Sequence, residues 1–71
     1  MTPKDVVALQ QALRGSFPHS DLRVEVSGHR LQVITGRFVI WTPETLDYRA
    51  LSVAEWRHRI TDALAPKLGA P

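Results

Sequence analysis

The chain has 71 residues and a mass of 8.0 kDa, which limits it to one small domain over residues 1–71. Hydrophobic residues make up 44% of it, too many for a disordered tail, yet no apolar run is longer than Phe38-Val39-Ile40-Trp41, far short of the roughly 20 residues a membrane helix needs. Cysteine is absent, which excludes disulfides, thiolate metal sites and a thiol nucleophile.

With no apolar leader core at the N-terminus, the expectation is a cytoplasmic protein with no membrane partner. Nine Lys and Arg against seven Asp and Glu leave a net charge of +2, and seven of the nine bases are Arg. A domain held on nucleic acid by charge alone usually carries a larger excess and more Lys. Arginine suits planar, hydrogen-bonded or stacked contacts with protein, phosphate or bases.

In chain order, Thr2-Pro3-Lys4-Asp5 reads as a helix start: a capping hydroxyl, a proline at the first helical position and an acid three residues after the cap. Val6, Leu9 and Leu13 recur at helical spacing, so a helix is predicted over 3–14, with Gly15 as its stop and Phe17-Pro18 preventing continuation.

Leu22, Val24 and Val26 then alternate with Arg23, Glu25 and Ser27, the period of a half-buried strand over 22–27. Gly28-His29 fits a two-residue turn into a second strand over 30–35. Thr35-Gly36 is the candidate turn into a third over 37–42. These turns set Val26 against Leu31, Val24 against Val33, Val33 against Phe38 and Leu31 against Ile40. The strongest apolar positions then share one face.

After a connection over 42–51, Ser52-Val53-Ala54-Glu55 is a capping box, with Leu51 and Trp56 spaced as a hydrophobic staple. Val53, Trp56, Ile60, Ala63 and Leu64 form an apolar stripe. Glu55 with Arg59 and His58 with Asp62 are spaced as ion pairs on the solvated side. The helix is predicted over 53–65, Pro66 ends it, and 66–71 is a tail.

Two helices and a sheet that each need to bury one side predict a two-layer α+β fold: a three-stranded antiparallel meander with both helices on one face. The helix–three strands–helix order resembles the double-stranded RNA-binding domain. That family binds through its first helix, its first strand-to-strand loop and a Lys-rich start to its last helix. Here the loop is only Gly28-His29, and the last helix opens Ser52-Val53-Ala54-Glu55 without a Lys cluster. The resemblance therefore covers element order and brings no binding residues with it.

The other sheet face carries Arg23, Glu25, Ser27, Arg30, Gln32, Ile34, Arg37, Val39 and Trp41 in this register, with Arg30 opposite Trp41 in reach of a cation–π contact. Arginines beside apolar and aromatic groups are the composition of an interface anchor. The expected function is a non-enzymatic protein–protein interaction module, a regulator, adaptor or inhibitor, docking through Arg23, Arg30, Gln32, Arg37, Val39 and Trp41. The third strand is apolar and has no protecting charge or proline. It is therefore the place for a partner strand, or for a homodimer through that strand or the open face.

The alternative is nucleic-acid binding through Arg49, Arg57, His58 and Arg59. His19, His29 and His58 lack metal-ligand spacing, and the four glycines stand alone with no phosphate loop. No serine sits in a nucleophile elbow, so no metal, cofactor or catalytic residue is expected.

Overall fold

A computed structural model describes residues 1–68. The element order is α1 (Pro3–Ser16), β1 (Leu22–Ser27), β2 (Arg30–Thr35), β3 (Phe38–Trp41), a 3₁₀ turn η1 (Tyr48–Ala50) and α2 (Val53–Leu68). The three strands form an antiparallel sheet in the order β1-β2-β3, and the helices pack against it, so the α+β architecture read from the sequence is the one observed.

The core forms where three apolar patterns meet. Leu9, Leu13 and Phe17 come from the first helix and its cap, Leu22, Val24, Leu31 and Val33 from the inner sheet face, and Trp56, Ile60 and Leu64 from α2. A fully buried side chain of this size contributes about 1.5–3 kcal/mol relative to exposure. No buried side-chain polar atom among the described residues lacks a partner.

Both helix starts follow their sequence signals. Asp5 Oδ2 accepts from the Thr2 N–H at 2.9 Å, a contact that holds the Asp5 carboxyl below its ordinary value. The Ser52 N–H donates to Glu55 Oε1 and the Glu55 N–H to Ser52 Oγ, each at 3.2 Å, and Leu51 and Trp56 both belong to the core. Glu55 is thereby committed to the cap, and no Glu55–Arg59 ion pair forms among the described residues; His58 and Asp62 do meet, at 3.3 Å.

Both helices run further than their predicted stops. Gly15 is helical, and the Phe17 N–H still donates to the Leu13 carbonyl at 2.9 Å. Continuing the coil carries Phe17 into the core, a gain larger than the roughly 1 kcal/mol cost of one helical glycine. At the other end Pro66 lies inside α2, because Leu68 extends the Trp56–Ile60–Leu64 stripe onto the core. The predicted tail over 66–71 is therefore helical through Leu68, and positions 69–71 lie outside the described residues.

The first hairpin has the predicted register, Ser27 opposite Arg30 and Val24 opposite Val33, with Gly28 at φ +64° in the turn. The second does not. Thr35 pairs with Phe38 and Ile34 with Val39, so the turn is Gly36-Arg37, with Gly36 at φ +59° in the first turn position as in the first hairpin. The ladder then skips Ile40 and resumes at Val33 opposite Trp41. Ile40 is the extra residue of a β-bulge, a device that re-aims the side chain following it.

Candidate interaction surface

The bulge decides the fate of Trp41. Opposite Val33, it lies on the helix-facing side and packs against the core, its ring 6.2 Å from that of Trp56 and edge-on at 76°. The expectation that Trp41 stands on the open face beside Arg30 is therefore corrected. The Arg30 guanidinium instead donates to the Glu44 carbonyl at 3.3 Å, and the cation–π contact present is between Arg49 and Tyr48, 5.7 Å from the ring centre.

The outer face keeps Arg23, Glu25, Ser27, Arg30, Gln32, Ile34 and Val39, with Arg37 beside it in the second turn. Ile34 is only 8% exposed despite its outward position between Arg23 and Val39. The Arg23 guanidinium reaches the Gly36 carbonyl at 3.0 Å and stands 3.5 Å from Glu25, so its stem runs over the sheet toward the second turn. At that turn Phe38 is 74% exposed and Val39 48% exposed.

The two sheet edges are treated differently. On β1 the Val24 N–H donates to Gln10 Oε1 at 2.9 Å, and the Leu22 carbonyl accepts from Arg14 Nε at 2.8 Å. Side chains of α1 thus engage the first half of that edge, at Leu22 and Val24. The Leu22 C=O and the Val24 N–H point away from β2, so by the alternation of an antiparallel ladder Arg23 is the residue that exchanges bonds with Ile34. Ile34 has then spent its own N–H and C=O on β1, and Val39, opposite it, turns both of its backbone groups outward. Among the described residues no other backbone or side chain bonds to that outer edge of β3.

The connection after β3 is anchored, and its anchors lie away from the open edge. Thr42 Oγ1 donates to the Leu31 carbonyl at 2.8 Å, and Pro43 is buried. The chain then passes the tip of the first hairpin, where the Tyr48 N–H donates to the His29 carbonyl at 2.8 Å. The Tyr48 carbonyl in turn accepts from Trp56 Nε1 at 2.8 Å, and the Met1 amino group donates to the Leu51 carbonyl at 3.1 Å.

At the hairpin tip the fold assembles a group that the sequence gives little sign of. Asp47 accepts from the Arg49 N–H and guanidinium, both at 2.8 Å, and stands 3.6 Å from His29 Nδ1. The Arg49 contacts hold the Asp47 carboxyl far below the usual carboxylate range and raise Arg49 in return. The one signal was the Asp-x-Arg spacing, which suits a short acid-capped turn.

Arg49 is thereby occupied at the hairpin tip. Arg57 and His58 line a cleft between the helices with Ala12, Ser16 and Thr61, and Arg59 is exposed elsewhere on α2. The four basic residues considered for nucleic acid are thus not gathered into one site around Arg49. No group of three or more metal-ligating side chains occurs among the described residues, and no described helix is long and apolar enough to cross a membrane. No family model, curated protein or solved structure matches the chain.

Proposed function

We propose that this domain is a non-enzymatic protein-interaction module that docks a larger protein through the open edge of β3 and the adjoining outer face. The docking residues are Arg37, Phe38 and Val39 at the edge, with Arg23, Arg30 and Gln32 behind them. The observation that carries the reading is the edge of β3, where Val39 leaves a donor and an acceptor free beside an exposed Phe38, whereas α1 side chains engage the β1 edge at Leu22 and Val24. Proteins normally blunt such an edge with charge, proline or a covering segment. An apolar, unprotected edge rimmed by arginine has the composition of a binding site.

The test compares wild type with Phe38→Asp in affinity capture from the same proteome. The expected result is a protein held by wild type and released by the variant, with both melting at the same temperature. Equal capture by the two contradicts the assignment of the surface. A complex with mixed-sequence duplex DNA or RNA at about 100 mM salt that dissolves as salt rises points instead to phosphate-driven binding.

A further inference from the structure

Resting on that reading, we infer the form of the partner: an extended segment that joins the sheet as a fourth strand, antiparallel to β3. It carries an apolar residue opposite Val39 and, two positions later, an acidic residue opposite Arg37. The backbone supplies the first half of the argument. Val39 offers one outward N–H and one outward C=O, the pair that a single opposing residue of an antiparallel strand satisfies. The exposed Val39 side chain then lies beside the side chain of that residue on the outer face.

Charge supplies the second half. Arg37 has no carboxylate partner among the described residues. The Arg23 guanidinium also arrives at this turn, 3.0 Å from the Gly36 carbonyl, and its one acid among the described residues is Glu25 at 3.5 Å. A guanidinium with no carboxylate partner among the described residues thus stands at the turn into β3, beside the Gly36 carbonyl that Arg23 reaches. An antiparallel segment brings its C-terminal half to that end, which is where the acid belongs.

A second copy of the chain is a poorer occupant. Pairing β3 with itself about Val39 sets Arg37 against Trp41, whose indole is turned to the core, and supplies no carboxylate, because the strand contains no acid. Side chains two apart on a strand share a face, so the recognition pattern is apolar–any–acidic.

The probe is a displayed library of short random linear peptides, selected on the intact protein and followed by titration of synthetic peptides. Enrichment of the apolar–any–acidic pattern is expected. Val39→Pro, which removes the outward N–H at an edge position where proline is tolerated, should weaken the best peptide about tenfold or more. Arg37→Glu lies in an exposed turn and leaves the fold intact. It should weaken the acidic peptide by a similar factor and favour the same peptide with Lys in place of the acid.

Peptides that lose binding on Phe38→Asp but carry no acid, or are indifferent to Arg37→Glu, overturn the strand-and-acid inference and leave the docking surface standing. A dimer by light scattering that Val39→Pro dissociates overturns it in favour of a second copy. Selected peptides that bind Phe38→Asp as well as wild type overturn the inference and the surface together.

Discussion

Val39 and Trp41 lie two apart in sequence and on opposite faces of the sheet, because Ile40 between them is a bulge. An unbroken strand would have placed both outward, which is how alternation alone reads them. The sequence marks the apolar character of 38–41 plainly, but a bulge of this kind has no composition of its own when the extra residue is an ordinary strand former. The consequence is energetic. Trp41→Ala removes a half-buried indole from an edge-on pair with Trp56 and should cost about 2 kcal/mol, somewhat below the 3–5 kcal/mol of a fully buried aromatic. Urea denaturation reads this directly. An unchanged midpoint would contradict the packing of Trp41 on the core and the bulge that turns it inward.

At the scale of elements, the most legible features were the ones with local chemistry. The capping box at Ser52 and Glu55 and the Gly28 turn depend on contacts within a few residues, and they appear where the pattern puts them. The second turn was misread by one residue. Thr35-Gly36 and Gly36-Arg37 both place a glycine in the turn, and only the positive φ at the first position, shared with Gly28, separates them. The helix ends were set by distant packing: Phe17 and Leu68 reach the core only if Gly15 and Pro66 are carried within the helices.

The bonding of Gln10 and Arg14 to the β1 edge was likewise hidden, since it pairs a helix with a strand more than one turn away in the chain. So was the junction at which Asp47 binds Arg49 beside His29. That junction predicts a pH dependence. Asp47 is held below its ordinary value, so it stabilises the fold above the unfolded aspartate pKa of about 3.9, and the contribution is lost as pH falls through the lower folded value. Asp47→Asn should therefore be less stable than wild type at neutral pH, with the gap closing in acid. A gap constant from neutral to strongly acidic pH would show that the Arg49 contact does not couple to folding.

For the molecule as a whole, the order of elements and the layer arrangement were readable because each amphipathic pattern needs a partner and few arrangements supply one. The binding surface was half readable. Arg23, Arg30, Gln32, Arg37 and Val39 lie on or beside the open side as their periodicity indicates, whereas Trp41 moved to the core, and Phe38, on the opposite side of the strand from Val39, is exposed at the start of β3. The contrast between a β1 edge engaged by α1 at Leu22 and Val24 and a β3 edge left open at Val39 exists only in the assembled fold.

The net charge of +2 adds little, because several bases already have acids: Arg23 with Glu25, Arg49 with Asp47 and Arg14 with Asp21. The most direct measurement is residue-resolved NMR of the intact protein during titration with a peptide selected on it. The account predicts that the amide shifts concentrate at Gly36, Arg37, Phe38 and Val39, with the Val39 amide moving as its N–H gains an acceptor. Shifts centred on Arg57, His58 and Arg59 of α2, with β3 silent, would contradict it.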